Sequence, residues 1–198
     1  MKASLLPRLS TVLCISTILL SCASNTNNRI VSDTPIKTEV LGLAIGDISS
    51  VEAIEYAISK ATNMTVYTEN EKYGVGSYVR AIPASFVINY GGLSWTYSGV
   101  TLNGENQVVQ IDLIGSYESF ENAKKQYDAA IEIFAQKYGK WNAGEGINSV
   151  FWTDNTNSVG LRCEKTSAVS GNDRSFCTLS YGSIALGDEL DEANKPDV

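Results

Sequence analysis

The sequence predicts an α+β fold in which an antiparallel sheet packs on two helices. Two stretches place apolar residues at helical three-and-four spacing, and each precedes short runs rich in Val, Ile, Tyr, Trp and Thr separated by turn residues. A helix followed by three or more strands therefore occurs twice. The chain has 198 residues, of which 43% are hydrophobic and 19% charged, so it can form one globular domain, assigned to residues 41–183.

The first 21 residues have the profile of a signal peptide, because two basic residues precede an apolar run over 9–20 that is too short to span a bilayer. The run ends in Leu19-Leu20-Ser21-Cys22, which resembles the lipobox of bacterial lipoproteins. This resemblance implies cleavage before Cys22, diacylation of its thiol and acylation of the new amino terminus, which together attach the protein lastingly to a membrane. The alternative is an ordinary secretory signal cleaved beside an incidental cysteine.

The segments that flank the domain are polar. Residues 22–40 are expected to form a flexible tether, and the acidic residues 184–198 a disordered tail without the spacing of a calcium loop. No aspartate follows Cys22, which by analogy with lipoprotein sorting in enteric bacteria favours the outer membrane, facing the periplasm.

The first unit of the domain is predicted to begin with a helix over 50–61, opened by a Ser-x-x-Glu capping box from Ser49 to Glu52. Strands are expected after it over 64–68, 85–90, 94–102 and 108–114, with 73–80 as a hairpin loop and 103–106 as a turn. In the last strand, alternation places three residues on the core face (Val109, Ile111 and Leu113) and two on the other (Gln110 and Asp112).

The second unit is predicted to contain a long helix from near Ser116 to Gly139. Its apolar stripe consists of Phe120, Ala123, Tyr127, Ala130, Ile131, Phe134 and Tyr138. The charged residues on its other side are interpreted as a solvated face. Three strands follow, over 150–153, 158–164 and 175–181.

Two cysteines, Cys163 and Cys177, lie on the last two predicted strands. A hairpin that sets them opposite each other also pairs Leu161 with Leu179, so the register agrees with the hydrophobic pattern. Export makes a disulfide between them the favoured state, and closing a loop of about 15 residues would contribute roughly 3 kcal/mol. The alternative is a redox-active or metal-binding pair, for which Cys-x-x-Cys spacing and histidine are missing.

Composition excludes several functional classes. The chain has no histidine, which removes Ser-His-Asp and Cys-His catalysis and His-ligated metals, and no cofactor or metal site is expected. Without residues 1–21 the chain has 13 basic and 22 acidic residues, a net charge of −9 that opposes nucleic-acid binding.

Aromatic residues supply the candidate binding site. If Val100 and Leu102 face the core, alternation places Trp95 and Tyr97 on the opposite, polar face of the sheet, where they are expected to bind a protein partner. The alternatives are that a loop or the tether covers them, or that the assumed strand register is wrong by one residue.

The functional prediction is a membrane-anchored envelope protein that is not an enzyme and acts as an adaptor or inhibitor through protein contacts. The alternatives are a carrier of a small or lipidic ligand held between helices and sheet, and a hydrolase with paired carboxylates. The element order resembles that of small α+β envelope lipoproteins and is similar to that of the β-lactamase inhibitor protein. This resemblance rests on no motif and assigns no functional residue.

Overall fold

The computed structural model describes residues 29–166 and 174–195. The chain opens with a short hairpin, β1 (Glu39–Val40) and β2 (Leu43–Ala44), and the helix α1 (Val51–Thr62). Six strands follow: β3 (Val66–Tyr73), β4 (Gly76–Pro83), β5 (Ile88–Tyr90), β6 (Leu93–Trp95), β7 (Tyr97–Leu102) and β8 (Val108–Tyr117). The rest comprises α2 (Phe120–Tyr138), β9 (Asn142–Ala143), β10 (Ser149–Thr153), β11 (Asn157–Thr166), β12 (Arg174–Ser183) and α3 (Ile184–Ala193).

Eight strands form one antiparallel sheet in the order β3-β4-β7-β8-β12-β11-β10-β9. Each half of the chain supplies a helix and four neighbouring strands, and the halves meet where their last strands, β8 and β12, pair. The predicted α+β fold and its tandem organisation are therefore confirmed, with β4 and β9 as additional strands.

The strand β4 lies in the stretch that the sequence pattern assigned to a loop. Only Gly74 and Val75 form the turn, and β4 pairs with β3 on one side and β7 on the other. Tyr78 and Val79 point to opposite faces and are both buried. Because both faces of β4 are covered, its buried residues do not alternate with exposed ones, and the usual strand signal is lost.

Both long helices have defined caps. Ser50, rather than the predicted Ser49, caps α1 by accepting a hydrogen bond from the Ala53 N–H (3.2 Å). Ser119 caps α2 in the same way, and Gly139 ends it as predicted. The buried residues of α1 and α2 belong to one apolar cluster, so both helices cover the same face of the sheet, called here the helix-covered face.

The helix-covered face holds the main core. Its largest fully buried side chains include Trp95, Trp152, Tyr181, Ile54, Ile58, Ile111, Leu113, Leu161 and Leu179. Val109 is buried outside this cluster, because a bulge aligns Leu102 with Val108 and leaves Val109 as the extra residue of β8. The predicted core position of Ile111 and Leu113 is confirmed, and Val109 is fully buried as predicted but lies outside the main cluster.

The predicted tether over 22–40 packs against the domain from residue 29 onward. The Ile30 N–H donates to Asn142 Oδ1 (2.8 Å), and Asn142 Nδ2 donates to the Ile30 carbonyl (2.7 Å). Ile36 and Val40 are buried in the main core. The prediction was wrong for this part because two well-placed apolar residues suffice to dock a polar segment. Residues 1–28, including the predicted signal peptide and Cys22, lie outside the described residues.

The predicted disordered tail, 184–198, is helical from Ile184 to Ala193. Ser183 caps the helix and Leu190 is buried, while Asp188, Glu189 and Glu192 are exposed. The prediction of disorder was wrong because it considered only the acidic composition. The cap at Ser183 and the burial of Leu190 stabilise the helix. Residues 196–198 lie outside the described part of the chain.

The helix α3 spans from β12 to the turn between β3 and β4. Asn194, at its end, accepts a hydrogen bond from the Val75 N–H at 2.8 Å. The approach is so close that a Cβ on Gly74 would lie 1.7 Å from Asn194 Oδ1.

Among the described helices, none is long and apolar enough to cross a membrane.

Candidate functional site

The two predicted aromatic anchors lie on opposite faces of the sheet, and both are buried. Trp95 is 1% exposed, belongs to the main core and donates its indole N–H to the Tyr90 carbonyl (3.1 Å). Side chains alternate between the two faces of the main sheet along β7, from Tyr97 to Leu102. Trp95 lies before the break at Thr96, in β6 of a separate two-stranded sheet, so this alternation does not extend to it. The prediction that Trp95 is an exposed anchor is therefore wrong.

Tyr97 lies on the predicted face, opposite α1 and α2, but it is only 9% exposed. It packs in a small cluster with Ile114 and Phe176, and the guanidinium of Arg80 lies 5.7 Å from the centre of its ring. Burial raises the pKa of Tyr97 to about 12. Its contacts are within the domain, so it does not present the exposed surface that a partner requires.

The face around Tyr97, called here the polar sheet face, has a carboxyl at its centre. Asp112 lies on β8 between Gly99 of β7 and Ser180 of β12, where the two halves of the sheet meet. Gln110 Nε2 donates to Asp112 Oδ1 (2.8 Å). Burial raises the pKa of Asp112 to about 6, and the nearby Ser180 and Gln110 side chains lower it only in part.

The hydroxyl of Tyr78 lies beside this carboxyl. It sits over Gly99, the residue directly opposite Asp112, and a Cβ at that glycine would be 1.9 Å from the Tyr78 oxygen. Burial, and then the charge of Asp112, raise the pKa of Tyr78 well above its usual range. Tyr78 therefore keeps its proton at neutral pH and can act as a hydrogen-bond donor.

Several polar atoms of this face lack partners. Of the five buried side-chain atoms without a hydrogen bond in the described residues, three belong to it: Arg80 Nε, Thr101 Oγ1 and Ser180 Oγ. Ser180 Oγ is near the Asp112 carboxyl but outside hydrogen-bond geometry. Since buried polar atoms are normally paired with protein, water or ligand, water or a small polar molecule is the expected partner of these atoms.

In the part of the chain that the structure describes, Asp112 is not paired with a second carboxylate on the polar sheet face. Glu69 and Glu71, on β3, face Arg80, with closest contacts of 2.9 and 3.9 Å. Within the described residues, no carboxylate is among the groups that shift the pKa of Asp112. Two-carboxylate hydrolysis needs both groups at one substrate bond, so this geometry does not support it.

The cysteine pair occupies the predicted register. Cys163 faces Cys177 and Leu161 faces Leu179, as predicted, and the same register pairs Val159 with Tyr181. The Cys163 N–H donates to the Asn148 carbonyl (3.0 Å), away from β12, so the two cysteines form a non-hydrogen-bonded pair. Cα atoms in such pairs are about 4.5 Å apart, within the range that a disulfide spans.

Both cysteines are thiols in the structure, and the disulfide stays a prediction. Burial raises the pKa of Cys163 to about 11, and that of Cys177 further. Because the thiolate is the reactive and metal-binding form, these shifts disfavour a redox or metal role. No group of three potential metal ligands occurs among the described residues.

An exposed aromatic residue lies instead in the loop over 84–87, called here the 84–87 loop. Phe86 is 59% exposed and has a φ of 55°, in the left-handed region that bulky residues rarely adopt. Its N–H donates to the Pro83 carbonyl (2.8 Å), and Val87 beside it is also exposed. The sequence gives no sign of this conformation, because neither glycine nor asparagine occurs in the loop.

Comparison with protein-family models, with curated proteins and with solved structures finds no significant match to this chain.

Proposed function

We propose that this protein is a lipid-anchored component of the bacterial cell envelope that binds another envelope protein through the 84–87 loop and is not an enzyme. The lipobox-like ending at Cys22 supports the anchor. The observation that carries the binding role is Phe86, an exposed phenyl ring on a backbone in the left-handed conformation.

Phe86 is unfavourable in the isolated domain for two reasons. A non-glycine residue in the left-handed conformation costs about 1–2 kcal/mol, and its exposed ring regains little of that by burial. A partner that buries the ring would contribute roughly 1.5–3 kcal/mol. Aromatic residues are also enriched at protein interfaces, so a strained exposed phenylalanine favours a binding role.

The loop is held in place before any partner arrives. The Ala84 N–H donates to the Thr65 carbonyl (2.9 Å), and the Ser85 hydroxyl contacts Met64 Sδ (3.0 Å). These contacts join the loop to the chain that enters β3. A loop ordered in its binding conformation loses less entropy on association, which favours affinity.

The proposal is tested by placing a photo-crosslinking amino acid at position 86 in intact cells. The matched control is position 56, because Tyr56 is also an aromatic residue, 68% exposed, but lies on α1. We expect one envelope protein to crosslink at position 86 and not at position 56. Equal products at both positions, or none at 86, would contradict the proposal.

The substitution Phe86→Gly separates binding from folding. Glycine relieves the left-handed strain, so the free energy of unfolding should rise by about 1 kcal/mol. Recovery of the crosslinked partner, read from a second probe at Val87, should fall at least about tenfold, since 1.4 kcal/mol is a factor of ten. Undiminished recovery would show that the phenyl ring does not bind.

A second candidate is a carrier of a small polar ligand on the polar sheet face, favoured by the unpartnered Thr101 hydroxyl. The space between helix and sheet supports no such role, because Phe134 packs there 5.9 Å from Trp152 and 6.4 Å from Tyr181 between ring centres. Native mass spectra should show a bound molecule on the wild type that Thr101→Val loses. A ligand-free wild type would remove this candidate.

A further inference from the structure

We infer that the β9 edge of the domain contacts the phospholipid bilayer, so that the 84–87 loop is held on the far side of the domain from the membrane. This edge contacts the lipid headgroups of the membrane into which the acyl chains on Cys22 insert. The inference rests on the proposed lipidation of Cys22 and adds to it the orientation of the domain.

The chain enters the domain at this edge. Two hydrogen bonds join Ile30 to Asn142 of β9, and two residues later the Ser32 N–H donates to the Thr153 carbonyl of β10 (2.7 Å). Cys22 precedes Ile30 by eight residues, which span at most about 29 Å when fully extended. The β9 edge is therefore the part of the domain closest to the anchor along the chain.

Exposed apolar side chains also lie at this edge. Eleven large apolar residues of the described chain are exposed, and four of them belong to the segments 29–31 and 141–147: Ile30, Val31, Trp141 and Ile147. Trp141 precedes Asn142 directly and is 44% exposed. Tryptophan is enriched at membrane interfaces, where its ring meets acyl chains and its N–H meets headgroups.

The local charge also fits a membrane surface. Arg29 and Lys140 lie on or directly next to these segments with one acidic residue, Glu145, whereas the chain from residue 22 carries a net charge of −9. Basic residues near an anionic leaflet favour association with the membrane surface. An anchor that keeps the edge near the bilayer makes such weak contacts effective, because the local concentration of lipid is high.

The 84–87 loop lies near the opposite edge of the sheet. It follows β4, and β4 and β9 are separated by six strand spacings in the sheet order. At about 4.8 Å per spacing, the distance is about 29 Å. A domain that rests on its β9 edge therefore directs the loop toward partners in the periplasmic space or on a facing surface.

The chain offers an internal reporter for this orientation. It has three tryptophans, of which Trp95 and Trp152 are buried and Trp141 is exposed. We would purify the native lipoprotein, reconstitute it in vesicles of phosphatidylethanolamine and phosphatidylglycerol with brominated acyl chains, and record flotation and emission together. Bromine quenches tryptophan on contact, so we expect a loss of up to about a third of the emission, relative to unbrominated vesicles.

Two variants serve as controls. Trp141→Phe should remove the quenching, because the remaining tryptophans are buried. The double variant Trp141→Phe with Phe86→Trp moves the exposed reporter to the 84–87 loop and should show no quenching.

The outcomes separate the orientation from the anchor. Flotation with quenching at position 141 alone supports the inference. Flotation without quenching at 141, or with equal quenching at 86, overturns the orientation and leaves the anchor intact. Protein that does not float overturns the anchor itself, and the orientation is then wrong as well.

Discussion

Val100 and Thr101 are neighbours on β7, and both are almost completely buried, yet they point to opposite faces of the sheet. Val100 belongs to the main core under the helices, where apolar residues pack against each other. Thr101 lies between Tyr78 and Gln110 on the polar sheet face, and its hydroxyl has no hydrogen-bond partner.

The helix-covered face stabilises the fold, whereas the polar sheet face contains buried polar groups that lower stability. The helix-covered face gains stability from burying apolar surface. The polar sheet face buries Asp112 with a raised pKa and three unpaired polar atoms, each of which lowers stability. Such costs are commonly retained at sites with a function, and the strained Phe86 belongs to the same class.

The largest predicted effect is on the helix-covered face. Trp152 is fully buried, donates its indole N–H to the Gly139 carbonyl (2.9 Å) and packs on Phe134. Trp152→Ala should lower the free energy of unfolding by about 3–5 kcal/mol in urea titrations. The exposed Trp141→Ala should change it by less than about 1 kcal/mol. Similar values for the two would mean that this face does not hold the main core.

The second largest predicted effect is on the polar sheet face, where the buried Asp112 makes the free energy of unfolding depend on pH. The pKa of Asp112 is raised from 3.8 to about 6, so the folded protein holds this proton more tightly than the unfolded chain. Its contribution to stability is therefore fully present below pH 3.8 and is lost as the pH rises through about 6, a change of roughly 3 kcal/mol.

Asp112→Asn removes this titration and keeps an acceptor for Gln110. The variant should match the wild type near pH 4 and exceed it by roughly 3 kcal/mol above pH 6 in urea titrations. Asp128→Asn, on the exposed side of α2, is the control and should keep the loss of stability that Asp112 causes between pH 4 and pH 6. A wild type that gains stability relative to Asp112→Asn as the pH rises would contradict the burial of this carboxyl.

The smallest effect comes from exchanging the two neighbours on β7. Val100→Thr places an unpaired hydroxyl in the main core and should cost about 1–3 kcal/mol. Thr101→Val removes one from the polar sheet face and should be neutral or stabilising by up to about 1 kcal/mol. Thermal unfolding of both variants measures these two changes in stability. A clear loss in Thr101→Val would show that the hydroxyl binds water or ligand.

Local signals in the sequence predicted much of the fold. The apolar stripe of α2 from Ala123 to Tyr138, the turn over 103–106 and the facing of Cys163 and Cys177 are confirmed, because each depends on a short periodic pattern or on turn chemistry, whereas Phe120 is exposed. These signals act within one element or one hairpin. They do not depend on what packs against the sheet.

Features that depend on tertiary packing were not predicted. The strand β4 is covered on both faces, and Trp95 is separated from β7 by a break at Thr96, so alternation misplaced both. The helix α3 depends on Leu190 finding a place against the sheet. The left-handed conformation of Phe86 has no signature in the residue type, so the proposed binding loop was visible only in the structure.

The proposed binding role of the 84–87 loop in the cell envelope and the proposed membrane-facing edge both assume a lipid on Cys22. The most direct test is mass spectrometry of the mature protein extracted from the membrane fraction of its own cells. The account predicts an amino-terminal peptide that begins at Cys22 and carries acyl chains on the thiol and on the new amino terminus. An amino terminus generated at another site, with an unmodified cysteine at 22 or none, would contradict it.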